Sequence, residues 1–87
     1  MFETLDQKIR KLGYVKVSDN EYGIRYHKQE KGKYIHAVDI MHKQNGKVLL
    51  YSYDASNDAL TQVALEEDEI RLFLKKLKQI KKRYKEH

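Results

Sequence analysis

The stretch YGIRYHKQEKGKYIHAVDIMHKQNGKVLLYSYD, residues 22–54, decides the fold. Tyr22, Ile24 and Tyr26 alternate with Gly23, Arg25 and His27, the period-two pattern of a strand with two unlike faces. Lys31-Gly32 then offers a turn into an extended run from Tyr34 to Lys43. Asn45-Gly46 supplies the strongest short-range hairpin signal, because both residues tolerate the positive φ of a type I′ turn. A further strand follows from about Lys47 to Tyr53. Upstream, Val15 and Val17 alternate with Tyr14 and Lys16 before a turn at Asp19-Asn20. No proline interrupts any strand. The pattern predicts an antiparallel meander of three or four strands.

If each turn is a two-residue loop, Val17 opposes Tyr22, Tyr26 opposes Ala37 and Met41 opposes Leu50. Val15, Val17, Tyr22, Ile24, Tyr26, Ile35, Ala37, Met41, Val48 and Leu50 then share the core face, with Asp39 and Ser52 as its polar exceptions. Lys16, Arg25, His27, Tyr34, His36, Val38, Ile40, His42, Leu49, Tyr51 and Tyr53 fall on the second face. Both assignments hinge on loop parity, since a slip of one residue reverses a strand.

Helices flank this sheet in the sequence. Phe2, Leu5, Ile9 and Leu12 recur at helical steps, and Gly13 follows where a left-handed cap favours glycine, predicting a helix over about residues 3–12. Asp54 to Gln62 is polar and aperiodic, a loop pinned by Leu60 and Val63. Beyond it, Ile70, Phe73, Leu77, Ile80 and Tyr84 mark one apolar face of a second helix, with Leu65 and Ile70 placed for a hydrophobic staple and Glu69 at the third helical position. The expected fold is α+β: helix, antiparallel meander, C-terminal helix, with both helices on one face of the sheet and residues 1–87 forming a single domain.

Composition narrows the function. Eighty-seven residues build one modest core. The lack of cysteine excludes disulfides and zinc-thiolate sites and suits a reducing cytoplasm. No basic segment followed by an apolar stretch marks a signal peptide at the N-terminus, and no window is apolar enough for a membrane span, so the expectation is a cytoplasmic protein with no membrane contact. The net charge of +5 is local: residues 1–64 carry ten basic and eight acidic side chains, whereas Lys75 to Lys85 holds seven bases and no acid.

That basic end is the first candidate site. Lys75, Lys78, Lys82 and Lys85 form a stripe along one flank of the apolar face, with Lys76 and Arg83 on the other, a geometry able to follow a nucleic-acid backbone or an acidic protein surface. The same bases, preceded by Glu66-Glu67-Asp68-Glu69, also complement the helix dipole and keep an exposed helix solvated. The second candidate is the second sheet face. Arg25, His36, Ile40, Tyr51 and Tyr53 combine apolar bulk with basic groups, and Val38 with Tyr53 and Ile40 with Tyr51 form apolar pairs, a composition suited to a protein partner or a homodimer and less to stacked bases.

His27 and His36 fall opposite each other, but His42 lies about 20 Å further along the strand, so no three ligands converge and neither a metal nor another cofactor is expected. The chain has no cysteine nucleophile, no glycine-rich phosphate loop and no nucleophile elbow, so neither an enzyme nor a small-molecule substrate is expected.

The order of elements resembles that of the double-stranded-RNA-binding domain, whose second helix spans phosphates with basic residues at its N-terminal end. Here that end is Glu66-Glu67-Asp68-Glu69, acids that repel phosphate, so the likeness stops at topology. The chain also resembles small phage and prophage proteins of Gram-positive bacteria, through Leu12-Gly13-Tyr14, Asp19-Asn20-Glu21-Tyr22-Gly23, the strand from His36 to Ile40, Ser52-Tyr53 and the helix start from Leu65 to the paired Lys75-Lys76. That resemblance implies a non-catalytic accessory role in a bacterial cytoplasm, without an assigned activity.

Overall fold

The computed structural model describes residues 3–32, 34–43, 45–56 and 61–85, the last three as backbone only. Phe2 and Leu60, and the side chains of Arg83, Tyr84 and Lys85, lie outside the described residues. Helix α1 spans Leu5–Lys11, strands β1 to β4 span Val15–Asn20, Gly23–Glu30, Tyr34–His42 and Val48–Asp54, and helix α2 spans Glu67–Lys85. The strands form one antiparallel meander in the order β1-β2-β3-β4.

Local chemistry sets the ends of α1. Thr4 Oγ1 accepts from Gln7 N at 3.1 Å and Gln7 Oε1 accepts from Thr4 N at 2.7 Å, a reciprocal capping box that satisfies two otherwise orphaned donors. After the helix, Gly13 takes φ +103° and its N–H donates to Arg10 O at 2.9 Å.

Loop parity corrects the expected faces. Asn20 pairs with Gly23, so the first turn is Glu21-Tyr22 and not Asp19-Asn20; Asn20 Oδ1 accepts from Tyr22 N at 2.8 Å to stabilise it. Glu30 pairs with Tyr34 and His42 with Val48, leaving odd-length connections at 31–33 and 43–47. Each shifts the register at β3 by one residue; together they displace β4 by two residues against β2, which restores the original face. Ile24, Tyr26, Val48, Leu50 and Ser52 therefore keep the expected face. Ile35, Ala37, Asp39 and Met41 move to the other face, while His36, Val38 and Ile40 turn toward the helices. Val38 lies between Tyr26 and Ser52, and Ile40 between Ile24 and Leu50. Neither Val38–Tyr53 nor Ile40–Tyr51 forms.

Strand β1 contributes little to the core. A bulge between Lys16 and Ser18 disrupts its register, and Val15 and Val17 are about half exposed. Tyr22, in the turn, is exposed as well. The opposite edge of the sheet is covered: Tyr53 bridges Gln62, Asp54 N donates to Thr61 O at 2.7 Å and Val63 N donates to Ser52 O at 3.1 Å. Residues 61–63 thus cap the C-terminal end of the outer edge of β4, from Ser52 to Asp54.

Ile9 of α1 and Phe73 and Ile80 of α2 pack on Ile24, Tyr26, Val38 and Ile40, with Tyr14 completing the core. The Phe73 ring meets Tyr14 edge-on at 5.0 Å and Tyr26 at 5.5 Å. Relative to the expected stripe, α2 is rotated. Glu69 and Lys76 are buried with Phe73 and Ile80, whereas Ile70 and Leu74 are each 42% exposed. No helix among the described residues is long and apolar enough to cross a membrane.

Gly23 locks β2 to β3. Its φ is +146°, and a Cβ there would sit 2.0 Å from Ile40 O. Gly23→Ala should lower the free energy of unfolding by about 2 kcal/mol or more, because strained backbone and a clash act together. A urea unfolding midpoint unchanged from wild type would contradict this packing.

Candidate functional site

The acid at the third position of α2 does not face solvent. Glu69 accepts from Glu66 N through Oε1 at 2.9 Å, and through Oε2 from the Tyr14 hydroxyl and from Lys28 Nζ at 3.2 Å. Burial pushes its carboxyl up, but the hydrogen bonds from Tyr14, Glu66 and Lys28 outweigh burial and hold it below the usual value.

Tyr14 carries the network onward. Its hydroxyl proton goes to Glu69, so its oxygen accepts from His36 Nδ1 at 3.1 Å, which assigns the hydrogen to that nitrogen. His36 Nε2 then accepts from Ser52 Oγ at 2.6 Å. The chain runs Ser52, His36, Tyr14, Glu69, from β4 through β3 and the α1–β1 connection to α2. Lys28 and Glu30 flank it from β2, with Glu30 at 4.0 Å from His36 and 3.0 Å from Lys28. His36 is displaced below its ordinary pKa, chiefly by burial, and among the described residues no buried side-chain nitrogen or oxygen lacks a partner.

A second polar contact, buried at its Lys76 end, joins the helices. Lys76 Nζ lies 3.0 Å from Asp6 Oδ1, which also accepts from the Tyr26 hydroxyl at 2.9 Å. Burial pushes the Asp6 carboxyl up, but Lys76 and Tyr26 bring it below its ordinary value. Lys76 is therefore committed to the interior and leaves the basic surface.

Three other bases of α2 do converge. Lys75, Lys78 and Lys82 are exposed and, with Lys8 and Leu5 of α1 and Gln79, line a depression of about 420 Å³ between the helices. No acid lines it, and none of the four lysines has an ion-pair partner among the described residues. Lys8 was not singled out by sequence; its signal is position, one turn after the N-cap of a helix that packs beside α2. The side chains of Arg83 and Lys85 lie outside the described residues.

The sheet-face candidates separate. His36 and Ile40 are buried on the helix side and cannot form an open surface. Arg25, Tyr51 and Tyr53 do share the open face with Asp39, in the cross-strand row Arg25, Asp39, Tyr51. His27 pairs with Ala37 and His36 with Lys28, so the two histidines occupy opposite faces. Among the described residues no group of three or more histidine or acidic side chains is placed to hold a metal ion.

No protein-family model, curated protein or solved structure matches the chain.

The buried network makes stability depend on pH. The folded state binds fewer protons than the unfolded chain, because His36, Glu69 and Asp6 all have lowered pKa values. Stability should be full above the ordinary histidine value of 6.5, begin to fall below it, and fall again below the ordinary glutamate value of 4.5. Urea midpoints at about pH 7.5, 5.5 and 3.5 should decrease in that order, with Glu69→Gln flattening the lower step. A midpoint independent of pH would contradict the network.

Proposed function

We propose that the chain is a non-catalytic binding protein that holds the phosphate backbone of a nucleic acid in the groove between α1 and α2. The observation that carries this reading is the convergence of Lys8 with Lys75, Lys78 and Lys82 around a depression without an acid. A single helix with a basic end complements its own dipole. A fourth lysine arriving from another helix adds nothing to that compensation and concentrates positive charge where an anion fits. From Lys75 to Lys82 the helix rises about 10 Å, over which duplex DNA presents roughly six phosphate charges.

Two further observations favour this reading. The burial of Ile40 takes one of the apolar residues away from the sheet face that would serve self-association, and the Arg25–Asp39 ion pair stands there beside Met41 and Tyr51. The Ser52–His36 hydrogen bond resembles an activated nucleophile, but His36 is 2% exposed and serves to join four elements of the fold. With the likeness to phage and prophage proteins, the proposed role is that of an accessory factor in a bacterial cytoplasm.

Fluorescence anisotropy with a labelled duplex tests the groove. Affinity should fall steeply with salt, with a log–log slope of about −3.6 if four phosphate contacts form, and should be independent of sequence. Lys78→Glu with Lys82→Glu should abolish most binding without changing the fold. Salt-insensitive binding, or retention of affinity by the double variant, would overturn the reading; capture of polyglutamate in place of DNA would replace nucleic acid by an acidic protein.

A further inference from the structure

We propose that the open face of the sheet binds a flat, uncharged heteroaromatic ring of nucleobase size, in the concavity over Asp39. This site lies on the side of the sheet away from α1 and α2, so it does not rest on the lysine groove.

Its floor is a saturated, neutral cluster. Asp39 is 6% exposed, and its carboxylate accepts from Arg25 Nε at 2.8 Å, from Arg25 Nη2 at 3.1 Å and from the Tyr53 hydroxyl at 2.8 Å. The two-pronged grip fixes the guanidinium in the plane of the carboxylate. The charges cancel, so a phosphate or carboxylate gains little there, and the floor favours a ligand without net charge. The Arg25 side chain nevertheless remains 49% exposed, offering an immobilised planar group on which a ring can stack.

Tyr51 stands on the other side of Asp39 and is 46% exposed. With strands about 4.8 Å apart, the backbones of Arg25 and Tyr51 are separated by roughly 9.5 Å, with Asp39 between them, so a ring stacked on the guanidinium lies beside Tyr51. Met41 and Val63 add apolar walls, and the concavity measures about 570 Å³, within the range of small-molecule sites. Tyr51 and Gln62, also in the lining, carry a hydroxyl and an amide that can donate to and accept from the edge of a heteroaromatic ring. A plain phenyl ring would leave them unused.

The shared chemistry admits a free nucleoside or an unpaired base within a strand. Amide chemical shifts should be followed in the full chain during titration with adenosine, uridine, oligo-dT and, as a control, N-acetyl-tyrosinamide. The nucleosides should move the amides of Arg25, Asp39, Tyr51 and Val63 and leave those of Lys75, Lys78 and Lys82 unmoved. Tyr51→Ala, which keeps the Arg25–Asp39–Tyr53 cluster intact, should weaken binding by roughly fivefold or more, as should Arg25→Lys, while Lys78→Glu should leave it unchanged. Tyr51-dependent binding of oligo-dT in the Lys78→Glu background would identify a strand as the source of the base, and nucleoside binding without it would identify a free molecule. Absence of shifts with either nucleoside, an equal response to N-acetyl-tyrosinamide, or full affinity in Tyr51→Ala would overturn the site.

Discussion

The hydrogen bond from the Tyr14 hydroxyl to Glu69 is the contact on which the arrangement of the helix layer depends. A carboxylate taken out of water costs several kcal/mol unless it is paired and hydrogen-bonded. Here Tyr14, Lys28 and Glu66 N together offset that cost. Because the compensation is available at one rotation of α2 only, the buried acid sets which side of the helix faces the sheet. Phe73 and Ile80 then pack inward, Lys76 reaches Asp6, and Lys75, Lys78 and Lys82 turn outward beside Lys8.

This dependence explains which parts of the fold were legible in the sequence. Local signals are accurate where their causes are local: the glycine after α1, a turn around Asn45-Gly46 and an antiparallel meander of three or four strands all follow from near neighbours, whereas the capping box at Thr4 emerges only in the structure. The faces of β3 were not legible, because its phase depends on whether each flanking loop is odd or even, and Lys31-Gly32 and Asn45-Gly46 each sit within a longer connection. The error fell on His36 and Ile40 while sparing Arg25, Tyr51 and Tyr53, since two one-residue shifts restore the parity of faces beyond β3.

The rotation of α2 was unreadable for a different reason. Glu69, Phe73, Lys76 and Ile80 recur as regularly as Ile70, Phe73, Leu77 and Ile80, and hydropathy alone favours the second set. The partners that make the first set stable, Tyr14 for Glu69 and Asp6 for Lys76, are far away in sequence and carry no local mark. Lys8 joins the groove through the same long-range packing. The candidate site is thus half visible in composition and half a product of tertiary contact.

Tyr14 and Glu69 thus act as a coupled pair in seating α2. A double-mutant cycle of Tyr14→Phe and Glu69→Gln, read from urea unfolding near neutral pH, measures that coupling most directly. The expected interaction energy is about 1–3 kcal/mol, with the double variant less destabilised than the sum of the single ones. Additive effects of the two substitutions would contradict it.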